Sequence, residues 1–299
     1  MSEIVINAQN LSKNFYNFDS RLPFIKRFLK RNQITIRAVQ DISFTIKRGS
    51  IVGFIGSNGA GKSTTIKMLT GTLYPSSGKL EVNGEIPFKR SINFRKKISI
   101  VVGNKLQLFQ DVSAMDYFQL IGTLYEVEPA ILQERIQELS NLLNVKDQLY
   151  QQVRTLSLGQ KMKMEFIAAS LTSPEILFLD EPTIGLDIQS KKDIRTFLKK
   201  MNEECHTTII LTSHDMDDIS SVCNELIVID KGKIILQESM DVILSKFSDF
   251  KYLKIKMTLD FVPELCSVKG VVVISQTKSE CILKIPRDFV FETLESINK

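Results

Sequence analysis

Eight consecutive residues, Gly56-Ser57-Asn58-Gly59-Ala60-Gly61-Lys62-Ser63, carry the most specific chemistry in the chain. They fit the pattern G-x-x-x-x-G-K-[ST] at every fixed position. Glycines at this spacing let the backbone close so that successive N–H groups converge on phosphate oxygens, with no side chains in the way. A helix starting at the end of the loop adds its positive end. Lys62 can then reach the β- and γ-phosphates of a nucleotide, the Ser63 hydroxyl can ligate Mg²⁺, and Thr64 completes the contacting set. A second feature is Ile176-Leu177-Phe178-Leu179, which runs directly into Asp180-Glu181. An apolar strand ending in two acids delivers both to the carboxyl edge of a sheet, where open α/β folds bind ligands. Asp180 suits the Mg²⁺-associated carboxylate, and Glu181 suits the base that orients and deprotonates an attacking water.

Between these two features lies Leu156-Ser157-Leu158-Gly159-Gln160, which resembles the signature sequence of the ABC ATPases. By itself this pentapeptide reads as an ordinary helix N-cap. Ser157, Gly159, Gln160 and a helix N-terminus can also hold a γ-phosphate. The resemblance implies ATP as the nucleotide. It also implies that the signature touches ATP bound to the opposite subunit, so that two cassettes sandwich two nucleotides. Two more matches follow in family order. Pro182-Thr183-Ile184-Gly185-Leu186-Asp187 is similar to the loop that communicates between paired sites, with Asp187 as its acidic end. His214, in Leu211-Thr212-Ser213-His214-Asp215, matches the switch histidine that senses the γ-phosphate. The other histidine, His206, lies in a polar turn and carries no such match.

Phe15 occupies the position where the family stacks an aromatic on adenine; Tyr16 is the adjacent alternative, and strand-end packing is the bland one. One position departs from the pattern. The family places a Gln after the strand corresponding to Ser99–Val102, touching Mg²⁺ and water and signalling to the membrane partner. A gapless reading puts Asn104 there, with Gln107 three residues on. Asn carries the same amide on a shorter stem, and Asn104 is favoured over Gln107 for this place beside Mg²⁺.

The elements that must position these residues follow from periodicity. Strands are expected at Ile4–Ile6, Ile34–Ile36, Ile42–Ile46 and Ile51–Ile55, with a helix over Ser63–Leu69. Helices are expected at Asp116–Tyr125, Ala130–Leu143 and Lys161–Leu171. Strand and helix then alternate through Ile176–Leu179, Lys191–Met201, Thr208–Leu211, Asp217–Val222 and Leu226–Ile229, which argues for a parallel or mixed sheet with helices on its faces. With the resemblance, the expected fold class is α/β: a P-loop NTPase of the ABC cassette type. It has a mixed sheet core, an antiparallel β sub-domain and a helical sub-domain at about 105–172, all within residues 1–240. Residues 241–299 read as a small α+β appendix, with strands at Tyr252–Met257, Val271–Ser275 and Cys281–Ile285 and a helix at Phe289–Ile297.

At 299 residues, 43% hydrophobic and 24% charged, the chain can bury a sizeable core. It has no apolar run of bilayer length, and Met1-Ser2-Glu3 opens no signal peptide, so a cytosolic protein is expected. Four cysteines without metal-ligand spacing fit a reducing compartment. The net charge of +5 demands no nucleic-acid partner, and none is expected. The segment Arg21–Arg31 sets Phe24, Ile25, Phe28 and Leu29 at helical spacing among Lys26, Arg27, Lys30 and Arg31. It reads either as a surface helix capping the sheet or as a helix for an acidic membrane or a permease.

The resemblance covers roughly residues 4–238. Through Asp111-Val112-Ser113, Ser157–Met162 and Ser213–Asp218 it is most similar to the exporter branch, whose cassettes and permeases are separate chains. It implies an ATPase that drives export through transmembrane permease subunits, works as a homodimer and sits at the inner face of the membrane through the permease. The rival is a non-transport ABC ATPase acting on nucleic acid or ribosomes, which usually shows tandem cassettes, coiled coils or metal-binding cysteines.

Overall fold

The computed structural model describes residues 3–18, 33–248, 250–256, 270–277, 280–286, 289 and 293. The basic segment Arg21–Arg31, Cys266 and most of Phe289–Ile297 lie outside the described residues. The chain divides into two compact units, Met1–Glu238 and Ser239–Lys299.

The first unit opens on two long strands, β1 (Ile4–Phe18) and β2 (Gln33–Lys47), paired antiparallel. The sequence pattern expects β2 as two short strands; it is one strand, with register shifts along the pairing where the alternation breaks. β3 (Ile51–Ile55) follows, then α1 (Lys62–Leu69) and β4 (Ser77–Val82), which pairs with the other edge of β1. α2 (Ile92–Lys97) leads into β5 (Ile98–Val102). Three helices come next: α3 (Ala114–Leu124), α4 (Pro129–Leu142) and α5 (Leu158–Ser170). The unit continues through β6 (Ile176–Asp180), α6 (Ile188–Cys205), β7 (Thr208–Ser213), α7 (Met216–Val222), β8 (Glu225–Asp230) and β9 (Lys233–Ser239).

The main sheet has the order β5-β6-β7-β3-β8-β9. All pairings from β5 to β8 are parallel. β8 and β9 are joined by Lys231 (φ 47°) and Gly232 (φ 78°), and two successive positive φ values make the tight turn of a hairpin, so the sheet is mixed. The parallel register aligns strand ends: Val102 opposite Asp180, Asp180 opposite Thr212, and Ile55 opposite Ser213. One edge therefore collects every residue in which a parallel strand turns into a loop.

The core explains why the strands read as unbroken apolar runs. Phe54, Phe178, Ile210 and Ile227 from the main sheet and Ile6, Leu11, Ile42 and Ile46 from the antiparallel sheet enter one cluster with Ile66, Met68 and Leu69 of α1. α1 is thus packed in the same core as both sheets, with Phe44 and Phe54 meeting edge-to-face at 5.5 Å. Helix starts are set by caps. Ser113 and Ser157 each form a reciprocal capping box, with Asp116 and Gln160 respectively. The second box starts α5 at Leu158, three residues earlier than the apolar periodicity implies.

The second unit contains α8 (Met240–Ser248) and a three-stranded antiparallel sheet of β10 (Phe250–Lys256), β12 (Glu280–Pro286) and β11 (Val272–Gln276), in that order. Cys281, Leu283 and Ile285 form its buried row, packed against Leu253, Ile255, Val271, Val273 and Phe289. Cys205 and Cys223 are free thiols. Among the described residues no helix is long and apolar enough to cross a membrane.

Candidate functional site

The loop between β3 and α1 is folded around its own lysine. Lys62 is buried at 5% exposure, and its Nζ donates to the carbonyls of Gly56 at 2.7 Å and Ser57 at 3.2 Å. The loop closes on itself through Ala60 N–H to the Ser57 carbonyl at 3.0 Å. Gly61 holds φ 110°, and a Cβ there would come within 2.6 Å of the Ala38 carbonyl oxygen, so only glycine fits. The result is a cleft of about 160 Å³ walled by residues 58–64 and by Glu181. It brings together Asn58, Gly59, Ala60, Gly61, Lys62, Ser63 and Thr64 with one carboxylate from another strand end.

Behind the loop sits a polar triangle. Ser63 Oγ donates to Asp180 Oδ1 at 2.9 Å, and Thr212 Oγ1 donates to the same oxygen at 2.7 Å. Thr212 was not singled out by its sequence; its strand-end position beside Asp180 follows from the register of β6 and β7. It also fixes Glu181, whose N–H donates to the Thr212 carbonyl at 3.1 Å and to Oγ1 at 3.0 Å. Glu181 needs that hold, because its φ of 50° lies in the left-handed region, at a cost of about 1–2 kcal/mol for a residue with a Cβ. The turn swings its carboxylate over the loop: Oε1 lies 3.8 Å from Lys62 Nζ and Oε2 lies 3.2 Å from His214 Nδ1. Lys62 at the start of α1 and Glu181 and His214 from the ends of β6 and β7 therefore meet at one point.

Two further ties hold that point in place. Lys191 pairs with Asp215 at 2.8 Å, and this bond, with the Asp217 N–H, keeps the Asp215 carboxyl below its ordinary range. Asp218 is 1% exposed; it accepts from Thr183 Oγ1 at 2.5 Å and from Arg195 Nε at 2.8 Å. The His214 loop and the Pro182–Asp187 loop are thereby joined. Asp187 caps α6, accepting from the N–H and hydroxyl of Ser190 at 2.9 and 2.7 Å; the hydroxyl is the main cause of its lowered carboxyl pKa.

The signature segment stands apart from this cleft. Ser157 is exposed at the start of α5, Leu158 is 46% exposed, and none of residues 157–160 walls the phosphate cleft. Gly159 is buried against α6, where a Cβ would lie 2.2 Å from Ser190 Oγ and 3.0 Å from Asp187 Oδ2. Phe15 and Tyr16 are 40% and 60% exposed near the end of β1, and Lys13 Nζ lies 5.3 Å from the Phe15 ring centre. Asn104 is exposed in the turn after β5. Gln107 Nε2 donates to the Ile100 carbonyl at 2.9 Å, so its amide is occupied on β5. His206 is the left-handed C-cap of α6.

Ser63 Oγ and Asp180 Oδ1 are hard oxygen donors 2.9 Å apart, beside a cleft that faces backbone amides and Lys62. That set fits Mg²⁺, which takes one or two protein oxygens and completes its shell with phosphate and water. Among the described residues no group of three or more His, Cys, Asp or Glu forms a self-sufficient metal site.

The sequence profile of the ABC transporter family matches residues 39–184. The chain is 32% identical over 216 residues to the ABC transporter ATP-binding protein NatA of Bacillus subtilis, covering 72% of this chain and 87% of that one. It is 34% identical over 197 residues to the linearmycin resistance ATP-binding protein LnrL of the same organism, covering 66% of this chain and 63% of that one. Among solved structures it is similar to CbiO1 of Clostridium perfringens, part of an ABC transporter complex. The identity is 25%, the TM-score is 0.67, and 82% of this chain and 92% of that one are covered. It shares its fold with a dimeric ATP-binding cassette bound to ADP and Pi, at 20% identity and TM-score 0.65, covering 79% and 98%. With the phosphate loop, paired acids and signature in family order on this fold, the chain belongs to the ABC transporter family, as an ATP-binding, ATP-hydrolysing subunit.

Proposed function

We propose that residues 1–240 act as one of two identical cassettes that bind ATP between them and drive export through separate transmembrane permease chains. Residues 241–299 are read as a separate small α+β unit. The observation that carries the pairing is the exposure of Ser157 and Leu158 away from the phosphate cleft of their own chain. A phosphate-binding N-cap that serves no phosphate of its own subunit has a use on a second one. The relative named for linearmycin resistance supports the outward direction. The lack of a bilayer-length helix among the described residues fits a subunit held at the inner face of the membrane by its permease.

In this reading the amides of residues 56–64 and Lys62 bind the phosphates of ATP, and Phe15 stacks on adenine. Ser63 and Asp180, with Asn104 from the turn after β5, would hold Mg²⁺, which would neutralise phosphate charge when bound. Glu181 accepts the proton of the attacking water, and His214, 3.2 Å from its carboxylate, orients it and senses the γ-phosphate. Ser157, Gly159 and Gln160 of each chain close over the ATP of the other, and Asp187 lies at the same seam.

Glu181→Gln tests the base. Phosphate release is expected to fall by roughly 10²–10⁴-fold, while ATP-dependent dimers accumulate on size exclusion; unchanged hydrolysis would refute the assignment. Membrane fractionation tests the partner. Recovery with ribosomes or DNA, independent of any membrane protein, would overturn the transport reading.

A further inference from the structure

Glu165 is a buried carboxylate that the proposed chemistry does not use. It lies in α5, eight residues beyond the signature serine, and is 4% exposed. Among the described residues no cation pairs with it, and burial raises its pKa despite two backbone hydrogen bonds. Those bonds come from successive residues: the N–H groups of Gln107 and Leu108 both donate to Oε1, the second at 2.8 Å. Glu165 also lines a cleft of about 230 Å³ together with Gln107, Tyr117 and Ile100. Leaving a carboxylate desolvated without a counter-cation costs stability, which the two backbone N–H bonds offset.

The same short loop is anchored at its other end as well. Gly103 donates its N–H to the Asp180 carbonyl at 2.9 Å, and a Cβ on Gly103 would overlap the Glu181 carbonyl oxygen at 1.9 Å. The strap from Gly103 to Leu108 is therefore bonded at its start to the backbone of the catalytic acids. At its end it is bonded to the helix that carries Ser157 and Gly159. The Gln107 side chain stiffens it by bonding back to Ile100. The two anchors place the strap directly between the Asp180–Glu181 step and α5.

We propose that Glu165 is a positioning residue that ties the signature helix to the Asp180–Glu181 edge through the Gly103–Leu108 strap. It rests on the reading that Ser157 and Gly159 serve the second copy's ATP. The state of one site then sets the placement of the element that completes the other.

The test compares three variants of the full chain. Glu165→Met keeps the volume and loses the acceptor. Glu165→Asp keeps the charge but retracts it by one methylene. Glu165→Gln keeps an acceptor oxygen in place. Met and Asp are expected to lower kcat roughly tenfold with the KM for ATP within twofold of wild type, and to speed amide exchange at Gln107 and Leu108. Gln is expected to keep more than half of kcat with slow exchange at both amides. Wild-type kcat in Met and Asp, or equal losses in all three variants, would overturn the proposal. So would unchanged exchange at the two amides in Met. The pairing reading fails if Glu181→Gln forms no ATP-dependent dimer, and this proposal fails on the Glu165 series alone, so the two failures are distinguishable.

Discussion

In the phosphate cleft, every charged side chain already has a partner from its own chain. Lys62 bonds to two carbonyls, Asp180 accepts from two hydroxyls, and Glu181 lies between Lys62 and His214. At Ser157–Gln160 the same chain offers a helix N-terminus whose Ser157 and Leu158 face solvent, closed by its own capping box. The first region is organised before ligand arrives, which is what electrostatic catalysis requires. The second is held rigidly from behind, by Gly159 on α6 and by the buried pair Lys163–Asp193 at 2.5 Å, yet its front face is open. In the proposed reading, one region acts on ATP and the other is brought to it.

Substitutions should separate the two regions cleanly. After Glu181→Gln, the largest effect is expected at Lys62→Ala, which removes the buried ammonium of the cleft and leaves the Gly56 and Ser57 carbonyls without their donor. Loss of a preorganised donor of this kind costs roughly 10²–10³-fold in turnover. ATP affinity of the isolated subunit, followed by fluorescent-nucleotide titration, should fall with it. Retained affinity would mean that the loop amides alone hold the phosphates.

Gly159→Ala should produce the opposite pattern. The new methyl must displace Ser190 Oγ and Asp187 Oδ2 at the head of α6, and overpacking of this kind costs roughly 1–3 kcal/mol. ATP affinity of the single subunit should stay within about twofold, since no residue of 157–160 touches the phosphate cleft. ATP-dependent dimerisation, measured by light scattering in a Glu181→Gln background, should weaken roughly tenfold, the equivalent of 1.4 kcal/mol. Equal losses in binding and pairing would erase the distinction between the regions.

How far each region could be read from sequence also differs. The phosphate loop is contiguous, so its chemistry is written in eight adjacent residues, and the apolar strand before Asp180 fixes its own edge of the sheet. Glu181 was legible by type, but its left-handed turn and its double hold by Thr212 depend on the register between β6 and β7. Glu165, Lys163 and Asp193 were not legible. Charged residues inside a helix read as a solvated face, and only tertiary packing reveals that Glu165 and Lys163 are 4% and 7% exposed. β4, α2 and β9 are too short, or too polar in pattern, to stand out by periodicity. The resemblance supplied Asn104 and Gln107 as alternatives; the fold occupies the Gln107 amide on Ile100 and leaves Asn104 exposed.

The smallest expected effect lies at the opposite edge of the main sheet, and it sharpens the contrast between chemistry and support. Glu175, just before β6, binds Arg48 at 2.8 Å and Lys97 at 3.1 Å. Burial pushes its carboxyl pKa up, but the hydrogen bonds from Arg48 and Lys97 outweigh burial and leave it lowered. A carboxylate with a folded pKa below its unfolded one contributes stability above the unfolded value and loses it as pH falls through the folded value. Because all three side chains are about a third exposed, solvent screening limits the contribution to roughly 0.5–1 kcal/mol. As pH falls from 7 through the folded value, the wild type should therefore lose about 1–4 °C of melting temperature that Glu175→Gln does not lose. ATP turnover of that variant at pH 7 should match wild type, because no group at this edge reaches the phosphate cleft. A turnover defect there would mean that the amino edge of the sheet holds the register of β6 tightly enough to place Asp180 and Glu181, and the division between support and chemistry would dissolve.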